Sequence, residues 1–217
     1  MRFTIHRFDS LSSTNDLALQ MADAPEGTVI IAGEQTAGKG RRGRKWSSPP
    51  GEGLYLSIIL RPPLPFQEMQ QMAFVISLAA CEAIRQISGL DAKIKWPNDI
   101  LVEGRKICGI LIETRGHGET ETRRRGDAGT RGIVVVGIGI NVNNQSFPPD
   151  LNATSLALEL GRTISMADVE AALLSCLKAR YEQFLAEGFP AILEGWKSPE
   201  LHNEPPNEVD LIGERMV

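Results

Sequence analysis

"GKGRRGRKW", residues 38–46, sets five cations and three glycines in nine positions of a chain whose formal net charge is −4. Its reading decides between three folds. With Gly33 it spells G-x-x-x-x-G-K, close to a P-loop, and from Gly38 it spells G-x-G-x-x-G, a dinucleotide fingerprint. Otherwise it is a basic loop that holds an anion by another geometry. A P-loop needs Ser or Thr after the lysine and a helix whose amino end faces the phosphates. Gly40 stands where the hydroxyl belongs, and the following "RRGRKWSSPPGEG" (41–53) carries two prolines and three glycines, which a helix does not tolerate. The dinucleotide fingerprint also requires a helix at that point. Both matches are chance. What remains is an anion clamp, with backbone N–H groups accessible at the glycines and forked donors on Arg41, Arg42 and Arg44, or a loop whose charge only keeps it solvated.

The surrounding chain narrows the choice. Its 217 residues suit one domain with a small appendage, and 42% apolar with 23% charged residues is an ordinary globular composition. No apolar run nears the roughly 20 residues of a membrane span, and "MRFTIHRFDSLSSTND" (1–16) lacks a leader pattern. The acidic balance argues against general nucleic-acid binding. Cys81, Cys108 and Cys176 are odd in number and far apart, without paired metal spacing, so they read as buried thiols of a cytoplasmic protein.

Ser13 with Asp16 has capping-box spacing and predicts a helix starting near Ser13. "GTVIIAG" (27–33) and "GLYLSIILR" (53–61) read as strands on either side of a polar loop. Residues 66–88 repeat apolar positions at three- and four-residue steps and predict one long amphipathic helix, ended by Gly89. "AKIKW" (92–96) reads as a strand, and "DILVEGRKICGILIET" (99–114) as a hairpin turning at Glu103–Gly104. The polar stretch 115–131 predicts a solvated hairpin connection, and "GIVVVGIGINVN" (132–143) a buried strand. A last helix begins at Ser165, with Val169, Leu173, Leu177, Tyr181 and Phe184 on its apolar face. Clustered strands with few, long helices predict an α+β fold, with a mixed, largely antiparallel sheet and helices on one face.

Three further stretches carry chemistry. "KWPNDI" (95–100) sets an amide beside a carboxylate, with Pro97 holding Trp96 extended and Asn98–Asp99 favouring a turn. "GRKICGI" (104–110) places Lys106 on the adjoining strand. "GIGIN" (137–141) alternates glycine along an apolar strand, so something flat approaches the backbone or the sheet packs tightly there. Cations, a carboxylate that could hold magnesium and a glycine floor suit a site that activates a carboxylic acid with a nucleotide.

"TAGKGRRGRKW", "KWPNDILVEGRKICGILIET" and "GIGIN", in this order, closely resemble the biotin–protein ligases, over roughly residues 3 to 187. The resemblance implies a catalytic fold related to class II aminoacyl-tRNA synthetases and lipoate ligases. It implies an enzyme that joins biotin to ATP as biotinyl-5′-adenylate, then passes biotin to a lysine of a carboxylase's biotin-carrier domain. Carried over by motif, Ser13, Thr14 and Asn15 would line the biotin pocket, with Thr14 and Gln35 reaching polar groups of the ligand. Gly38, Lys39, Gly40, Arg41 and Arg42, with Trp46, would belong to the loop that folds over the ligand. Lys106 would contact the biotin carboxylate and the α-phosphate, with Arg41 and Mg2+ sharing the charge. Asp99, with Asn98, would serve magnesium or orient the acceptor lysine. Gly109 and Gly137 would give the flat ligand room, and Asn141 closes the last motif.

The chain departs from the family pattern in three ways. Lys39 stands where the family most often has arginine. No helix-turn-helix segment precedes residue 3, so no nucleic-acid partner is expected. And "NEVDLIGERMV" (207–217) looks like the first strand of a small C-terminal β-barrel. The domain reading is therefore a catalytic domain over 1–190 and a remnant of the barrel over 191–217, with ATP use impaired before biotin binding. The alternatives are a lipoate or octanoate ligase and a biotin-binding module without turnover. The oligomeric state stays open, a homodimer being one option.

Overall fold

The computed structural model describes residues 1–115 and 132–202. The hairpin connection predicted at 115–131, apart from Arg115, and the strand-like segment 207–217 lie outside the described residues.

The chain divides into two compact units. One comprises Met1–Gln71 and Leu111–Gly139, the other Met72–Ile110 and the chain from Ile140 onward. Seven strands form one sheet: β1 (Thr4–Leu11), β2 (Thr28–Gln35), β3 (Gly53–Leu60), β4 (Lys93–Lys95), β5 (Asp99–Val102), β6 (Arg105–Arg115) and β7 (Ile133–Asn141), in the order β1-β2-β3-β7-β6-β5-β4. β1 pairs parallel with β2, whereas β2–β3, β4–β5 and β5–β6 pair antiparallel. This is the mixed α+β sheet expected from the sequence.

In the first unit, helix α1 (Thr14–Gln20) starts where predicted: the Ser13 hydroxyl caps it by accepting from the Asp16 N–H. Ala18 then packs against Ile30, Ile59, Ile133 and Val135, with Leu11, Leu17 and Met21 beside them. β3 is buried along its whole length, which explains its unbroken apolar run. β1 was not foreseen. Its residues Thr4–Ser10 are all exposed, so no apolar period marks it, and it exists through its hydrogen-bonded register with β2.

In the second unit, the helix predicted over 66–88 divides, and its first part belongs to the other unit. Phe66–Gln71 is a 3₁₀ turn, and the α-helix proper, α2, spans Met72–Ser88. Burial goes beyond the predicted face in the first turns of α2, where Phe74, Val75, Leu78, Ala79 and Cys81 are also buried, while Gln86 near its end is exposed. It packs against α4 (Met166–Glu187), where the Glu82 carboxylate accepts from Arg180. The predicted apolar face of α4 is buried at all five positions, and Ser165 caps it. Two short helices, α3 (Leu156–Leu160) and α5 (Phe189–Trp196), were not anticipated. Trp196 of α5 is fully buried, donates to Ser77 Oγ at 3.1 Å, and packs against Phe74, Trp96 and His202. The three cysteines are free. Cys81 and Cys108 are buried as expected, and burial pushes the Cys81 thiol up to about 12, but Cys176 is half-exposed.

Candidate active site

The basic stretch forms an arch on the first unit. Lys39 bridges Lys45, Gly40 N donates to Arg44 O at 2.7 Å, and Trp46 N donates to Gly38 O at 2.9 Å. Its tip, Arg41–Gly43, is a single 3₁₀ turn with Arg42 at φ 56°. No α-helix follows, so the phosphate-loop and dinucleotide readings fall on geometry as well as on sequence. Arg41, Arg42, Arg44 and Lys45 are exposed. Lys39 is instead engaged at the base of the arch by the Asp16 carboxylate. That hydrogen bond holds the Lys39 ammonium above its ordinary pKa, with Glu113 adding to the attraction and burial opposing it.

Beneath the arch lies a compact polar group. Ser13, Thr14 and Asn15, at the start of α1, are almost fully buried. The Gln35 side-chain carbonyl accepts from Thr14 N at 2.8 Å, and its amide donates to Ser48 Oγ at 2.9 Å. Ser57, in the middle of β3, lies 2.7 Å from Thr14 Oγ1 and 2.5 Å from Asn15 Oδ1. Asn15 Nδ2 donates to Glu113 on β6 at 2.8 Å. Ser57 and Glu113 were not read from the sequence. The available signal was a lone serine in "LYLSIIL" and a lone acid in "GILIET", each in an otherwise apolar strand.

The glycines of "GIGIN" have a different use from the one expected. A Cβ on Gly137 would lie 2.2 Å from Asn15 Oδ1, and one on Gly139 2.5 Å from the Trp46 indole. The flat groups over this strand are thus the chain's own amide and indole, and Gly137 makes room for Asn15 rather than directly for a ligand.

In the second unit the key feature is a β-bulge. β5 and β6 pair Asp99 with Gly109 and Ile100 with Cys108, but Leu101 pairs with Lys106, so β6 carries one extra residue. Side chains alternate along a strand, so in an unbroken ladder Lys106, three residues from Gly109, would face away from Asp99. The extra residue restores the match and turns Lys106 onto Asp99's face. Lys106 Nζ then sits 2.7 Å from Asp99 Oδ1, with both side chains about one-quarter to one-third exposed (31% and 25%). The bulge frees the Lys106 backbone, and a separate segment captures it. Lys106 N donates to Asn152 O, and Thr154 N donates to Lys106 O, each at 2.9 Å. Buried Asn141 donates to Thr154 O at 3.0 Å and to Lys106 O at 3.4 Å, so its amide nitrogen braces Lys106. Asn98 locks the same hairpin by exchanging bonds with Ile110, and the turn sits at 96–98, with Asp99 already in β5.

As for the metal, no group of three or more His, Cys, Asp or Glu gathers among the described residues. The carboxylate of Asp99 faces an ammonium. This donor set does not fit a resident magnesium site, since Mg2+ demands several oxygen ligands.

The model of the biotin/lipoate A/B protein ligase family matches residues 7–125. A biotin–[acetyl-CoA-carboxylase] ligase of Paracoccus denitrificans is 35% identical over 194 residues, which is 85% of this chain and 75% of that protein. The chain belongs to this family. The bifunctional ligase/repressor BirA of Bacillus subtilis is 41% identical over 196 residues, 88% of this chain but 57% of BirA, so the chain spans little more than half of that relative. The fold is that of the solved biotin protein ligase of Aquifex aeolicus in complex with biotin and ATP, with a TM-score of 0.74 and 28% identity over 90% of this chain and 77% of that one. No helix among the described residues is long and apolar enough to cross a membrane.

Proposed function

We propose that this chain is the catalytic part of a cytoplasmic biotin–protein ligase, which activates biotin with ATP and transfers it to a lysine of a biotin-carrier domain. The observation that carries the reading is Lys106, turned by the bulge onto the face of Asp99 and braced by Asn141. A solved relative of this family binds biotin and ATP, and one from Leishmania major binds biotinyl-5-AMP. In the first half-reaction a biotin carboxylate oxygen attacks the α-phosphorus of ATP, and the Pα–O bond to pyrophosphate breaks. Negative charge builds on the non-bridging oxygens, and the Lys106 ammonium offsets it. No protein nucleophile is needed. Magnesium enters as part of the nucleotide substrate, and no step is assigned to it.

In the second half-reaction the neutral amine of the carrier lysine attacks the acyl carbon and AMP leaves. Asp99 holds Lys106 in place and is the base assigned to the incoming amine. Thr14, Asn15 and Gln35, on the floor beneath the arch, take the polar head of biotin. This favours biotin over octanoate, whose apolar chain offers these groups no hydrogen bond. The boundary read at residue 190 moves past α5, which belongs with the catalytic body in this proposal.

The test supplies biotin, labelled ATP and a carrier domain. Biotin-dependent pyrophosphate release followed by a biotinylated carrier is the expected result. Release driven by lipoate or octanoate and not by biotin would sink the proposal, as would biotin binding without turnover of ATP.

The arch supplies a second prediction. Trypsin should cut the free protein among Arg41, Arg42, Arg44 and Lys45, and biotin with ATP should slow the cutting. Arg41→Ala should release the adenylate about tenfold faster or more, the worth of one charged hydrogen bond. Its melting temperature should barely move, because the side chain is exposed. Equal cleavage with and without ligands would show that the arch does not close on them.

A further inference from the structure

The buried polar group beneath the arch has a direction that follows from donor and acceptor chemistry alone. As a carboxylate, Glu113 can only accept, so Asn15 must turn its NH2 toward it, at 2.8 Å, and its carbonyl toward Ser57. That carbonyl also only accepts. Ser57 has one proton and lies 2.5 Å from Asn15 Oδ1, so the proton is committed there. Two lone pairs would otherwise face each other at that distance. Ser57 Oγ, 2.7 Å from Thr14 Oγ1, must then accept, and the donor is the Thr14 hydroxyl. The competing acceptor, Gln35 Oε1, is farther from that hydroxyl at 3.1 Å and already receives the Thr14 backbone N–H at 2.8 Å.

The row is closed to reorientation. Ser57 is fully buried, so water does not compete for its proton, and Thr14 and Asn15 keep only 3% of their surface exposed. Gly137 leaves the space that the Asn15 amide occupies. The Glu113 charge also lies near enough to attract the ammonium of Lys39. Thr14 is left with its proton spent and a lone pair to offer.

We infer that Glu113, acting through Asn15 and Ser57, fixes the Thr14 hydroxyl as an acceptor and so selects ligands whose head group presents an N–H donor, such as a cyclic urea. Glu113 is a positioning and specificity-determining residue in this scheme and touches no reacting atom. The inference rests on the ligase reading above and refines it. It explains why the same fold would reject a head group that offers only acceptors. A buried acceptor facing another acceptor has no partner, and sites of this kind discriminate far more strongly than apolar pockets do.

The test is calorimetric titration of the full chain with biotin and with two cyclic carbamates, in each of which one ring N–H of biotin is replaced by oxygen. The readout is the ratio of the two affinities within each variant, which a partial loss of folded protein does not change. The wild-type protein should prefer biotin over one carbamate by on the order of 10³-fold. Ser57→Ala and Glu113→Leu free the Thr14 proton to rotate toward the ligand, and the ratio should drop to about tenfold. Glu113→Gln keeps an acceptor for Asn15 and should retain most of the preference. A ratio unchanged in Ser57→Ala and Glu113→Leu overturns the inference, as does a Glu113→Gln ratio as low as that of Glu113→Leu. Either result leaves the ligase reading standing as long as biotin binds. A wild-type protein that binds no biotin removes the ligase reading itself.

Discussion

On the proposed ligase reading, Lys106→Ala should lower biotin-dependent pyrophosphate release by about 10²–10³-fold, the cost of deleting one fixed donor from a site where charge develops. The loss should fall on the single-turnover rate of adenylate formation, with biotin affinity changed much less, because the ammonium is needed most when the α-phosphate gains charge. The fold should survive. The backbone N–H and carbonyl of residue 106 keep their bonds to Asn152 and Thr154 whatever side chain is present. The pair with Asp99 is partly exposed, so its loss costs stability only about 1 kcal/mol or less. Asp99→Asn is the informative companion. It keeps the Lys106 charge but loosens its position, so adenylate formation should fall less than in Lys106→Ala, while transfer to the carrier lysine suffers more. Adenylate formation at near wild-type rate in Lys106→Ala would remove this residue from the first half-reaction.

Trp196→Ala should destabilise the protein by about 3–5 kcal/mol, the usual cost of removing a large aromatic side chain from a packed interior. The indole has no exposed surface, meets Phe74 at 4.9 Å and Trp96 at 5.4 Å between ring centroids, and donates to Ser77. Its removal also withdraws the ring against which His202 packs at 4.3 Å. Trp196→Phe should recover much of the loss, leaving the missing hydrogen bond and a smaller void. Denaturant unfolding monitored by circular dichroism checks both. A change below about 1 kcal/mol for Trp196→Ala would show that α5 contributes little to the second unit, and that the catalytic body ends near residue 190 as the sequence suggested.

Much of the fold was legible in local signals. The caps Ser13 and Ser165, the strands of 28–35 and 53–60, and the hairpin through Glu103 and Gly104 are written in contiguous residues. Both turn positions adopt positive φ, 50° and 73°, as a two-residue hairpin demands. The candidate site was legible as a set of motifs, and the family followed from their order. β1 was not, because an exposed edge strand has no buried face to impose an apolar alternation. The all-round burial of α2 over Met72–Cys81 was also hidden, since a period marks a helix but not how many neighbours cover it.

What the sequence by itself determined is therefore the family, the α+β class and the residue types at the site. Each depends on short stretches whose chemistry is read in place. Only the tertiary structure decided what those residues do to one another. A single inserted residue in β6 turns Lys106 toward Asp99, and nothing in "GRKICGI" announces the insertion because it exists only relative to the register of β5. Likewise Asn15 and Glu113 meet across 98 residues of chain, and Thr14 and Ser57 across 43. The direction of their hydrogen bonds follows from which acceptor ends the row, a fact of assembled geometry that no local pattern encodes.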